Sequence, residues 1–341
     1  MKRFLKKISY TLLPIWLILV LGTAYVALFI YPEICGDISH VGLLPFGHDY
    51  ENLLAKEWPP EMRFTTIEEI DELQRLNTDV LTIGDSFSQR DEDAYQNYLS
   101  FKGLNVANCE RHMFDNPMTF AYEVLDHDLI DSSRVKVLVV EIVERYVENF
   151  MTHFQPNPQK SALMSNKKNI KDKKPTRWSL ERARSFLFLR TGYVENPVIL
   201  EQLDGDYFSS DKPQALYYYN EDLDGLTIDK EKEDTIFTNY HRLLDMAQKK
   251  HMQLIFMVAA DKYDMYQNHI INNPNSKKTV NEDIARVLKN DSHLLVSKNY
   301  LEPMIDQGEK DVYLYNDSHW SYKAAKVIAD ELYQRIAGEK Q

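Results

Sequence analysis

Cysteine is scarce: Cys35 and Cys109 are the only two in 341 residues. That count excludes a disulfide-dense scaffold and a four-cysteine zinc site, and leaves a Cys35–Cys109 bridge as the one open pairing. Positive charge is short as well, with 40 basic residues against 52 acidic ones and a formal charge of −12. Four of those bases (Lys2, Arg3, Lys6, Lys7) and one acid (Glu33) fall within residues 1–34, so the remainder carries −15. A body that acidic repels a phosphate backbone, which argues against nucleic acid as a partner. No internal repeat and no low-complexity tract occurs. No metal set is evident either, since Asp126 and Asp128 point to different helix faces from His127. Nothing in the sequence calls for a cofactor. Apolar residues, by contrast, are plentiful at 44%, so most of the chain should fold.

The longest uncharged stretch is Ile8 to Tyr31, 24 residues. As a helix rising about 1.5 Å per residue it would cross a hydrocarbon core of about 30 Å. A cleaved signal peptide has an apolar region of about 7–15 residues ending at small side chains. This run is longer and exits through Tyr31-Pro32-Glu33-Ile34, so an uncleaved anchor is expected. A lipoprotein site at Cys35 is disfavoured, because Glu33 and Ile34 replace the small residues it needs. The basic cluster at residues 2–7 should remain cytoplasmic by the positive-inside rule. The expected layout is a cytoplasmic stub (1–7), a transmembrane anchor in the cell (inner) membrane (8–31), a linker (32–75) and an extracytoplasmic, periplasmic domain (76–341).

Beyond a short helix expected at 66–76, apolar runs alternate with helical periods. Strands are expected at Asp79–Ile83, Leu104–Asn108, Val135–Val143, Met252–Ala259 and Leu294–Ser297. Helices are expected at 89–101, 117–129, 232–249, Asn281–Leu288 and Tyr322–Ile336. Val135–Val143 is a continuous apolar run, as befits a strand buried on both faces. The alternation implies an α/β fold with a mainly parallel sheet. Residues 150–230 interrupt it with a basic run from Lys167 to Arg177 and acidic, turn-rich sequence, and read as an insertion. The basic run is a solvated loop or a site for an anionic polymer or lipid headgroups.

Gly84-Asp85-Ser86 follows a strand and precedes a helix, which places Ser86 at the carboxyl edge of a parallel sheet. The following helix N-terminus would stabilise an oxyanion there. Serine also caps helices, and Ser88 with Asp91 could form a capping-box variant. A nucleophilic serine needs a base, and the base needs an orienting carboxylate. Asn-Asp-Ser-His occurs twice. Residues 290–293 precede a strand, at the amino edge, and read as a turn. Residues 316–319 precede the last helix, on the edge of Ser86, which makes Ser86, His319 and Asp317 the candidate triad.

Gly-Asp-Ser near the start of an α/β domain and Asp317-Ser318-His319-Trp320 before its last helix resemble the SGNH hydrolase superfamily. Within it, the Asp-x-His-Trp sequence is similar to the alginate O-acetyltransferase group and its DHHW-type relatives. Glu144-Arg145 is similar to the segment closing the third strand of that group, and Lys262-Tyr263 with Tyr266 to its Lys…Tyr segment. The resemblance spans roughly residues 76–150 and 232–341 and implies a flavodoxin-like three-layer fold. Ser86 precedes Asp317 and His319, the usual SGNH order, whereas the alginate enzymes carry Asp-x-His-Trp before the serine. The Gly and Gly-x-Asn-Asp blocks that complete an SGNH oxyanion hole are not evident. The Ser86 N–H would supply one donor, with Arg145 or Asn108 as the second; Arg145 could equally be an ion-pair partner of Glu141 or Glu144. Lys262 and Trp320 are further candidates for substrate contact.

The resemblance implies an acyl-serine enzyme. Its leading activity is O-acetyl transfer to an extracytoplasmic polysaccharide, with a membrane-bound O-acyltransferase delivering the acyl group. The alternatives are an anchored carbohydrate acetylesterase with the same triad, and a non-catalytic polysaccharide-binding or assembly subunit on the same scaffold.

Overall fold

The computed structural model describes residues 8, 10, 12–22, 38, 61–90, 94–158, 198–210 and 212–338. Among these the strands are β1 (Thr65–Ile67), β2 (Val80–Gly84), β3 (Val106–Cys109), β4 (Val137–Val143), β5 (Val198–Gln202), β6 (Ala215–Tyr219), β7 (Gln253–Ala259) and β8 (Leu294–Val296). Six form one sheet in the order β1-β3-β2-β4-β7-β8, with every pairing parallel. The α/β expectation therefore holds.

Alternation along the central strands divides the interior into two layers. Val137, Val139 and Val143 of β4, with Ile255, Met257 and Ala259 of β7, face one core. Leu138, Val140 and Ile142, with Leu254, Phe256 and Val258, face the other. Helices Tyr95–Phe101, Lys298–Asp306 and Tyr322–Gly338 cover the first face. Helices Pro117–Asp126, Glu233–Lys249 and Val280–Val287 cover the second. Glu233–Lys249 shows why these segments are helical: Ile236, Tyr240, Leu243, Leu244 and Ala247 make one buried stripe. Helix Pro117–Asp126 starts where the sequence places it. Asn116 accepts from the Met118 and Thr119 N–H groups at 3.0 and 3.2 Å, and proline fills the first helical position.

Three expectations need correction. Residues 66–76 do not form one helix: β-branched Thr65, Thr66 and Ile67 pair with β3 as an edge strand, and only Ile70–Leu73 is helical. The second half of the 150–230 insertion is built into the body. There β5 and β6 pair antiparallel, and Leu203, Phe208, Tyr217 and Tyr218 are fully buried. The basic run itself lies outside the described residues. Helix Lys298–Asp306, which contains Pro303, has no counterpart in the sequence reading.

Of the uncharged stretch 8–31, residues 12–22 are helical, with Leu13, Trp16, Ile18 and Leu21 exposed. Among the described residues no helix is long and apolar enough to cross a membrane; residues 23–31 lie outside them. Cys109 is a buried, unbridged thiol on β3, and Cys35 falls outside the described residues.

Candidate active site

The chain passes from β2 to β3 on one side and then crosses to β4 on the other. The crevice beyond the carboxyl ends of β2 and β4 is therefore the topological switch point, where open α/β sheets hold their ligands. Gly84-Asp85-Ser86 occupies that point, with Gly84 in register with Glu141 of β4. Ser86 is half-buried and opens a single 3-10 turn, Ser86–Ser88. The following α-helix begins only at Tyr95. The expected helix N-terminus directly behind the Ser86 hydroxyl is thus absent, and its dipole is no part of the site.

Ser88 is not the helix cap that its sequence context allows. Its hydroxyl donates to Glu141 Oε2 at 2.9 Å and meets the Tyr95 hydroxyl at 2.9 Å. Asp85 Oδ2 accepts the Val143 N–H at 2.7 Å, which ties the serine turn to the end of β4. Asp85 Oδ1 and Glu141 Oε1 are both buried without a partner among the described residues. Burial, and then the neighbouring Asp85, push the Glu141 carboxyl well above its usual range. Gly84 is required here by space. A β-carbon would lie 2.2 Å from Ser88 Oγ and 2.5 Å from Glu141 Oε2.

The second half of the site arrives from the far end of the chain. Asp317 Oδ1 accepts from the His319 backbone N–H at 2.9 Å and contacts His319 Nδ1 at 2.5 Å. Burial pushes the Asp317 carboxyl up. The His319 ring, its hydrogen bonds and the Arg90 charge outweigh that and hold it well below the carboxylate range. The other Asn-Asp-Ser-His copy makes the same clasp: Asp291 Oδ1 takes His293 N–H and Nδ1, each at 2.8 Å. The clasp is therefore a local property of Asp-x-His, and only its surroundings distinguish the two. Residues 291–293 precede β8 at the amino edge, as expected of a turn. At 317–319 the His319 ring meets Phe87, the residue after Ser86, at 4.8 Å between centroids. Arg90 Nη1 reaches Asp317 Oδ2 at 3.4 Å.

Lys262 is fully buried. Its ammonium donates to the carbonyls of Leu314, Tyr315 and Asp317 at 2.6, 3.0 and 3.1 Å. It sits under the loop as a clamp rather than facing a substrate. Tyr313 bridges to Trp320 and donates its hydroxyl to the Ala260 carbonyl at 2.6 Å, closing the same loop against the end of β7. Trp320 packs on Phe87 at 4.6 Å and is 1% exposed, so it too is a packing residue.

Arg145 pairs with neither Glu141 nor Glu144. Its guanidinium is shared by Asp222, at 3.2 Å, and Asp261, in a buried cluster that Lys278 joins through Asp261 at 2.8 Å. Burial and Asp261 push the Asp222 carboxyl up to about 7 against the pull of Arg145 and Lys278. Asn108 is also buried. Its Oδ1 accepts from Thr82 Oγ1 at 2.7 Å and Gln96 Nε2 at 3.1 Å, between β2 and β3. Arg90 is the residue the sequence did not point to, since a pair 227 positions apart leaves no local pattern. Among the described residues no group of His, Cys, Asp and Glu could hold a metal ion.

The sheet is parallel with helices on both faces, and a serine turn at its switch point lies beside an Asp-x-His loop, the arrangement of an open α/β fold with its site at the carboxyl edge. Residues 213–341 match the family described as SGNH hydrolase-like domain, acetyltransferase AlgX. That match bears out the resemblance to the SGNH and alginate O-acetyltransferase group and points to acyltransferase or esterase chemistry. It covers the Asp317–Trp320 loop; the Ser86 turn lies outside it. No curated protein matches the chain.

Proposed function

We propose that the protein is an O-acetyltransferase that modifies an extracytoplasmic polysaccharide through an acetyl-serine intermediate. The observation that supports this most is the meeting of two distant segments just after Ser86, Phe87 on His319 and Arg90 on Asp317. In this reading Ser86 Oγ attacks the acyl carbonyl while His319 Nε2 accepts its proton. Asp317 fixes the imidazole through Nδ1. The tetrahedral intermediate collapses with departure of the donor's leaving group, which takes the proton from His319. A sugar hydroxyl then attacks the acetyl-serine, again with His319 as base, and Ser86 is regenerated. The Ser86 N–H is the first oxyanion donor; the commitments of Arg145 and Asn108 described above leave the second to another group.

The proposal includes a membrane anchor at 8–31, with the catalytic domain on the outer face. The exposed apolar side chains of residues 12–22 support it, being unsuited to water. No acyl-coenzyme A pool exists there, so a membrane-bound O-acyltransferase is the fitting acyl donor. Incubating the purified full-length protein with an activated acetyl ester and candidate oligosaccharides tests the reading. Acetate appearing on the sugar supports transfer. Release of free acetate whatever sugar is present would assign an esterase, and no acyl-enzyme and no turnover, in wild type as in Ser86→Ala, would leave a non-catalytic subunit.

A further inference from the structure

We infer that Arg90 is a positioning residue of this site: it holds the second oxygen of Asp317 and thereby sets the orientation and proton affinity of the His319 base. The inference rests on the triad reading above. Asp317 offers two oxygens to two different partners. Oδ1 is engaged by the backbone and ring of His319, and Oδ2 lies 3.4 Å from Arg90 Nη1. A carboxylate bound at one oxygen only can rotate about its χ2 bond; bound at both, it presents Oδ1 to the imidazole in one direction. Arg90 reaches it from the segment that carries Ser86, with Phe87 between them packed on the His319 ring. One short stretch, 86–90, therefore supplies the candidate nucleophile, the ring that buttresses the base and the cation that orients its carboxylate.

The arrangement also has an electrostatic consequence. The Arg90 charge competes with the imidazolium for Asp317. Among the described residues, Asp317, Arg90 and the His319 ring are the titratable and charged groups at the pair itself. Lys262 approaches from below, through the Asp317 carbonyl, and Asp85 and Glu141 lie under the serine turn. Removing Arg90 takes one competing cation away from the carboxylate and its imidazole. The acid limb of the rate profile should then move upward while kcat falls. Arg90 makes a single-nitrogen contact at 3.4 Å, so a lysine can replace its charge without reproducing a fork.

The test uses full-length wild type, Arg90→Gln, Arg90→Lys and Ser86→Ala, with kcat, KM and their pH dependence measured on an activated acetyl ester. The downfield proton resonance of the His319–Asp317 bond is recorded alongside. Arg90→Gln should lower kcat about tenfold or more at unchanged KM and move the acid limb up by about one pH unit. Arg90→Lys should return the limb to its wild-type position. The resonance should shift in Arg90→Gln and recover in Arg90→Lys. A purely structural tie would lower the melting temperature and leave limb and resonance in place; that result, or wild-type kcat in Arg90→Gln, overturns the inference. Failure of the triad reading is separately visible as full turnover in Ser86→Ala, with the resonance still answering to Arg90.

Discussion

Replacing Lys262 by Met keeps the length and most of the volume of the side chain but deletes its charge and its three bonds to loop carbonyls. The buried ammonium donates to Leu314, Tyr315 and Asp317 carbonyls at 2.6–3.1 Å, and each hydrogen bond from a charged group contributes about 1.5–3 kcal/mol. The three share one donor and one loop, so they do not add fully, and a loss of about 3–5 kcal/mol is expected. On a domain of this size that lowers the melting temperature by roughly 5–15 °C. The loop also carries Asp317 and His319, so the same substitution should lower kcat about a hundredfold through misplacement of the base. Chemical denaturation of the full-length protein, followed by fluorescence, measures the first effect; ester turnover at a temperature where the variant is folded measures the second. A substrate-contacting lysine would behave differently, raising the acceptor KM with little effect on stability. That outcome, or a stability loss below about 1 kcal/mol, would refute the clamp.

Three further outcomes follow from the same geometry. Asp317 has a depressed folded pKa, so its stabilisation is complete above the unfolded carboxylate range near about 3.9 and is lost as pH falls further. The stability gap between wild type and Asp317→Asn should accordingly be flat above about pH 5 and shrink in acid; a constant gap in melting scans down to about pH 3 would contradict the assignment. Glu141 is shifted the other way, and its neutral form is favoured by folding, so Glu141→Gln should gain stability relative to wild type as pH rises above about 4.3. Denaturation curves at several pH values that show no such divergence would count against the upward shift of Glu141. Gly84→Ala places a β-carbon 2.2 Å from Ser88 Oγ and should cost about 2 kcal/mol or more, read as a fall in the melting temperature; full stability in that variant would show that the serine turn can relax.

The sheet was legible because its strands are continuous apolar runs. Val137–Val143 and Gln253–Ala259 divide their side chains between two cores, and such strands leave an unambiguous hydrophobic signature. The edge strand Thr65–Ile67 was not legible: it is three residues long, and its pairing with β3 is a tertiary fact. The hairpin β5–β6 was lost within turn-rich sequence, although the run Leu216–Tyr219 is rich in aromatics suited to a strand. At the site, the Asp-x-His clasp could be read from spacing, but its duplicate at 291–293 shows that spacing gives the bond and not the role. What distinguishes the two is contact with residues 86–90, and no short pattern encodes a meeting across more than two hundred positions. The roles of Lys262, Arg145 and Asn108 were beyond reach for a related reason. The sequence shows a polar group near a strand end, while only packing shows whether it faces the crevice or is consumed by buried partners.

The central claim, that Ser86 and the Asp317–His319 pair form one acyl-transfer unit, is tested most directly by trapping the covalent intermediate. Full-length protein is quenched in acid during turnover of an activated acetyl ester, digested and read by peptide mass spectrometry. One acetyl group is expected on the peptide bearing Ser86, present in wild type and missing from both Ser86→Ala and His319→Ala. Acetylation of that peptide at an undiminished rate in His319→Ala, or turnover without any label at Ser86, would contradict it.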